Sequence, residues 1–117
     1  MIAYYSGDGK DLDKYRFDQL TQVIYSFCHL KGNKLAVDNS DDSLAIRNLV
    51  ALKKQFPTLK VLLSLGGWCG CEHCSTVFSS AGGRAEFSES VLALMKTYQT
   101  DGLDLDWEYP AISGCPD

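Results

Sequence analysis

Four short runs of β-branched and aromatic residues, each closed by small, polar or turn-forming residues, stand out along the chain at positions 2–5, 23–28, 60–65 and 103–107. They predict buried strands. Between the last three, apolar positions recur at helical spacing. Ile46, Leu49, Val50 and Phe56 share one face of a helix predicted over 43–56, with Asp41 and Asp42 suited to its N-terminal dipole and Pro57 stopping it. Phe87, Val91, Leu94, Met95 and Tyr98 repeat the spacing over 84–98. Strand, helix, strand, helix, strand is the pattern of a parallel α/β sheet. Positions 11–20 read as a short helix or turn built on Leu12, Tyr15 and Phe17. No linker, repeat or low-complexity tract interrupts the pattern, so residues 1–117 read as one architecture. The chain stops within ten residues of the last strand's end, so the final strand–helix unit reads as incomplete.

Composition narrows the function. The 117 residues are 45% hydrophobic and 22% charged, an ordinary globular balance. Apolar runs such as Val61-Leu62-Leu63 fall far short of the roughly 20 residues that cross a bilayer, so no membrane span is expected. A net charge of -4 offers no basic field for a phosphate backbone, which argues against a nucleic-acid partner. Five cysteines, three of them at Cys69, Cys71 and Cys74, lean toward an oxidising, extracellular compartment. Met1 nevertheless runs straight into Ile2-Ala3-Tyr4-Tyr5, without the basic stretch and apolar core of a secretory signal.

The densest chemistry lies in Asp101-Gly102-Leu103-Asp104-Leu105-Asp106-Trp107-Glu108-Tyr109. Side chains alternate along a strand, so Asp104, Asp106 and Glu108 share one face while Leu103, Leu105 and Trp107 pack on the other. Like charges so close at reduced dielectric cannot all ionise, and a retained proton is what a general acid needs. An exposed edge strand with a solvated acidic face, or a divalent-metal site, are the other readings of the row.

The run Asp101, Asp104, Asp106, Glu108 matches the D-x-x-D-x-D-x-E signature of glycoside hydrolase family 18, the chitinase family. Ser64-Leu65-Gly66-Gly67 resembles that family's second motif, S-x-G-G, at the end of the third barrel strand, and Tyr4-Tyr5 and Tyr25-Ser26-Phe27 resemble the ends of its first two strands. The resemblance implies the N-terminal half of a (β/α)8 barrel, whose complete form takes roughly 250 residues. It implies that Glu108 protonates the glycosidic oxygen while the sugar's own 2-acetamido oxygen attacks the anomeric carbon, so that no enzyme nucleophile is required. Asp106 would orient the acetamido group and offset the developing positive charge. Asp104 would share a proton with Asp106, and Asp101, at the turn before the strand, would be structural. Ser64 and Gly66 belong to the supporting motif. Tyr4, Phe27, Gly67, Trp68 and Tyr109 would line the sugar site, although core packing is the alternative for Tyr4 and Phe27.

Within Cys69-Gly70-Cys71-Glu72-His73-Cys74 a structural disulfide, free thiols and metal binding all remain open, while Cys28 and Cys115 have no partner legible in the sequence and His29 reads as a loop histidine. The resemblance implies neither a catalytic metal nor a cofactor. The expected function is retaining, substrate-assisted hydrolysis of β-1,4 linkages in chitin or N-acetylglucosamine oligosaccharides, by a complete protein that is monomeric and secreted. An endo-β-N-acetylglucosaminidase, a non-catalytic lectin of the same fold and a metal-dependent phosphoryl-transfer protein are the competing readings.

Overall fold

The computed structural model describes residues 1–108. Its frame is a parallel sheet in the order β1-β2-β4-β5, formed by β1 (Ile2–Tyr5), β2 (Gln22–Lys31), β4 (Lys60–Trp68) and β5 (Gly102–Glu108). A short antiparallel strand, β3 (Lys34–Ala36), folds back on the far end of β2. Helix α1 (Ser40–Ala51) lies in the crossover from β2 to β4, and α2 (Cys74–Phe78) and α3 (Ala81–Tyr98) in that from β4 to β5, while short 3-10 turns connect β1 to β2.

All four expected parallel strands are present, and β2 and β4 run several residues further than the hydrophobic runs suggested. Both helices begin earlier than their apolar spacing predicted. Asn39 caps α1 by accepting the Asp42 N–H at 2.8 Å, and Ser80 caps α3 by accepting the Gly83 N–H at 3.0 Å. The first turns are polar or glycine-bearing, so hydrophobic periodicity does not register them. Helix α1 ends in a 3-10 turn (Leu52–Lys54), and α3 ends where Gln99 adopts a left-handed conformation. Positions 11–20 form two 3-10 turns, Leu12–Lys14 and Phe17–Gln19, which bury Leu12 and Phe17 and leave Tyr15 exposed.

One hydrophobic core lies between sheet and helices. Val23, Tyr25 and Cys28 of β2 and Val61, Leu63 and Leu65 of β4 meet Ala45, Ile46 and Leu49 of α1, Val77 of α2 and Phe87 of α3. Burying each large aliphatic side chain contributes roughly 1.5–3 kcal/mol, which makes this layer the main support of the sheet. The opposite face carries Tyr4, Ile24, Leu62, Ser64 and the acids of β5, by register and alternation. Between Tyr25 and Cys28 the β2–β4 register shifts, at the cis Ser26–Phe27 peptide.

One expectation about β5 is corrected. Leu103 and Trp107 pack against the core as the alternation requires, but Leu105 is 49% exposed. The strand is at the edge of the described sheet, and among the described residues no helix covers its middle.

Candidate active site

Strands β4 and β5 run parallel in unbroken register, so Ser64 lies beside Asp104, Gly66 beside Asp106 and Trp68 beside Glu108. This register joins the two sequence motifs into one surface. Ser64 is fully buried, and its hydroxyl donates to Asp104 Oδ2 at 2.8 Å. From across two intervening strands, the Tyr4 hydroxyl donates to the same oxygen at 3.2 Å. Asp104 is therefore anchored from both sides by neutral donors, while Asp106 feels both Glu108 and Asp104.

Asp106 is held above the usual carboxylate range. Burial is the largest cause, followed by the charges of Glu108 and Asp104 and by the hydrogen bond with Glu108. Tyr4 is raised as well, first by burial and then by the charge and hydrogen bond of Asp104. Asp106 thus retains its proton more readily than an isolated aspartate would.

Two glycines make the surface possible. Gly66 has φ +125°, and a Cβ there would fall onto the Asp106 carbonyl of β5. Gly67 has φ +85°, and its missing side chain leaves room for the Phe27 ring, which a Cβ would meet at 2.7 Å. Phe27 is half-buried against this turn, while Tyr4 and Trp68 are 59% and 65% exposed. Core packing accounts for neither of the exposed rings.

At the other end of β5, Asp101 Oδ2 accepts from Lys53 Nζ at 2.8 Å and from the Val61 N–H at 2.9 Å, and the Asp101 N–H donates to the Val61 carbonyl at 2.7 Å. Partial burial pushes its carboxyl up, but the hydrogen bonds from Lys53 and Val61 and the charges of Lys53 and Lys60 outweigh this and leave it lowered. Beyond Trp68, Cys71 and Cys74 form a disulfide and Cys69 is also disulfide-bonded, while Cys28 is a buried free thiol pushed up to about 12, chiefly by burial. Among the described residues no three His, Cys, Asp or Glu side chains converge as a metal-binding group. Tyr109 and Cys115 lie outside the described residues.

Residues 1–114 match the family described as Glycosyl hydrolases family 18. The chain belongs to this family. It is 37% identical to mouse (Mus musculus) chitotriosidase-1 over 97 residues, covering 82% of this chain and 21% of that protein. The chitinase domain of the spore coat protein CotE from Clostridium difficile superposes with a TM-score of 0.84 at 30% identity, covering 97% of this chain and 31% of that one. Human YKL-39, a pseudo-chitinase with retained chitooligosaccharide binding, superposes with a TM-score of 0.72 at 27% identity over 93% of this chain and 33% of its own. The chain spans about a fifth of the curated relatives' length. Its fold is accordingly part of the family 18 barrel.

Sequence reasoning located the family 18 motifs but not the anchoring of Asp104 by Tyr4. The two residues are 100 positions apart, and only the β1-β2-β4-β5 strand order brings them together. The β3 hairpin was also missed, although Gly32-Asn33 between Lys31 and Lys34 is a two-residue turn signal.

Proposed function

We propose that the complete protein hydrolyses β-1,4-N-acetylglucosamine linkages in chitin or chito-oligosaccharides with retention of anomeric configuration. The observation that carries this reading is the placement of Asp104, Asp106 and Glu108 on one face of β5 beside Ser64, Gly66 and Trp68 of β4, with Asp104 already held by Ser64 and Tyr4. Glu108 is the general acid toward the glycosidic oxygen. The 2-acetamido oxygen of the substrate is the nucleophile, and Asp106 orients the acetamido N–H and offsets the charge of the cyclic intermediate. Asp104, fixed by two donors, lies behind Asp106, where its carboxylate favours a proton on Asp106. Tyr4, Trp68 and Phe27 offer rings for the apolar faces of the sugar units. The disulfides support an extracellular setting.

Glu108→Gln in the complete protein is expected to lower turnover of a fluorogenic chito-oligosaccharide by at least about 10²-fold, while oligosaccharide affinity stays within a few-fold of wild type. Turnover close to wild type would remove Glu108 from the role of acid. Likeness to a pseudo-chitinase gives a second reading, a chitooligosaccharide-binding protein without hydrolysis. Under it, the wild-type protein binds the oligosaccharide but leaves it uncut.

A further inference from the structure

The chain leaves β4 through a tight turn that carries Trp68. The Gly70 N–H donates to the Gly67 carbonyl at 3.0 Å, so Trp68 and Cys69 are the two central residues of a turn from Gly67 to Gly70. Gly70 closes it, because a Cβ there would fall onto the Gly66 carbonyl. Cys69 takes a left-handed φ of +62°, a strained conformation for a residue that carries a Cβ. Such strain persists only where the surroundings hold it. One arm of the turn is held by β5, since Gly67 pairs with Trp107 and Trp68 with Glu108. The other arm passes at once into Cys71, whose disulfide to Cys74 ties it to the first residue of α2, and both cysteines belong to the hydrophobic core beneath. Cys69 has a disulfide of its own.

The Cys71–Cys74 bond spans only three positions, and so short a ring removes little freedom from the unfolded chain, so its weight in global stability is small beside that of a bond closing a long loop. Its effect is local. Cys71 and Cys74 are 6% and 0% exposed, which shelters the bond from exchange with outside thiols and makes it a fixed tie rather than a relay. What it fixes lies on the active face. Trp68 is mostly exposed, neighbours Glu108 across the strand pair, and lines a cavity of about 390 Å³ together with Gly70, Cys71 and His29. We propose that Gly70 and the Cys71–Cys74 disulfide are positioning residues for Trp68, holding its indole beside Glu108 before the sugar arrives, so that affinity for substrate depends on a bond that touches none. This rests on the chitin-directed reading of the same face and adds to it a device that pre-organises one of its rings.

The test is a double-mutant cycle in the complete protein, read as kcat and KM on a fluorogenic chito-oligosaccharide and as calorimetric affinity for the plain oligosaccharide in a Glu108→Gln background. Cys71→Ala with Cys74→Ala leaves the Cys69 disulfide in place and is expected to weaken affinity and raise KM about tenfold, with kcat within about twofold, the pattern of lost uniform binding. Trp68→Ala should do the same by a similar factor. Combined with the cysteine pair it should add less than about twofold, because a loop that no longer places the ring has already lost its contribution. Cys71→Ser with Cys74→Ser should reproduce the alanine pair, and each variant should melt in one cooperative transition within about 5 °C of wild type. Affinity unchanged by either pair, or factors that multiply independently in the combined variant, would overturn the positioning role while the chitin reading stands. Loss of cooperative folding in both pairs would overturn it as well, by making the bond a support of the whole fold. If the wild-type protein neither binds nor cleaves the oligosaccharide, the chitin reading fails and the positioning role falls with it.

Discussion

Asp101 and Asp106 stand five residues apart at opposite ends of one strand, and the molecule treats their charges in opposite ways. Asp101, at the start of β5, receives Lys53 and a backbone N–H, and its carboxyl is lowered. Asp106, near the far end, has burial and two carboxylate neighbours, and its carboxyl is raised. The first arrangement favours the folded chain with the charge in place. The second works against ionisation in the folded state, and so costs stability at neutral pH in order to keep a proton near the row. The contrast teaches where this fold accepts an unfavourable charge: at the carboxyl ends of its strands, the active face of a (β/α)8 barrel, while the opposite end is tied down.

The largest expected effect comes from disturbing the backbone under Asp106. Gly66→Ala places a methyl on the Asp106 carbonyl at a positive φ, so strain and overpacking together are expected to cost about 4 kcal/mol. Chemical denaturation of the complete protein would read this, and a loss under about 1 kcal/mol would mean that β4 and β5 can part without consequence. Ser64→Ala is next. It removes the buried donor to Asp104 and leaves the weaker Tyr4 contact, for an expected loss of about 1.5–3 kcal/mol. A stability equal to wild type would show that Tyr4 alone anchors the carboxylate.

These effects mark what could be read before the fold was known. The strands and the parity of the acid row were legible because β-branched runs and alternation are local signals, and the family motifs are contiguous. Leu105 was misread because alternation says which face a side chain takes but not whether anything covers that face. Tyr4 could be named but not connected, since its link to Asp104 depends on strand order. The start of α3 was hidden by Gly82 and Gly83, poor helix formers that are tolerated in a first turn capped by Ser80. The loop after Trp68 could not be decided at all, because the three cysteines fit several chemistries until their geometry is seen.

A titration sharpens the contrast without requiring turnover. Followed by carboxyl carbon NMR in the complete protein, Asp106 is expected to titrate above the usual aspartate value of about 3.9. Glu108→Gln should bring it down, and Asp104→Asn should bring it down by less, because the Glu108 charge is the larger of the two. Equal shifts would mean that the two charges count alike, and no shift in either would mean that burial alone sets the proton affinity of Asp106.

The smallest effect belongs to the other end of the strand. The Lys53–Asp101 pair is about one-quarter exposed on each side, so Asp101→Asn is expected to cost about 1 kcal/mol at neutral pH, the upper range for a partly screened ion pair. The sign of its pH dependence follows from the direction of the shift. Because the folded carboxyl is lowered, its contribution is fully present above the unfolded aspartate value of about 3.9 and is lost as pH falls through the lower folded value. Asp106 has the opposite sign, so it favours the folded state at low pH and opposes it once pH has risen through its elevated folded value. The difference in melting temperature between wild type and Asp101→Asn should therefore be flat from neutral pH down to about 5 and narrow below that. A difference that widens on acidification would reverse the assigned sign and place Asp101 with Asp106, among the carboxyls that the fold prefers protonated.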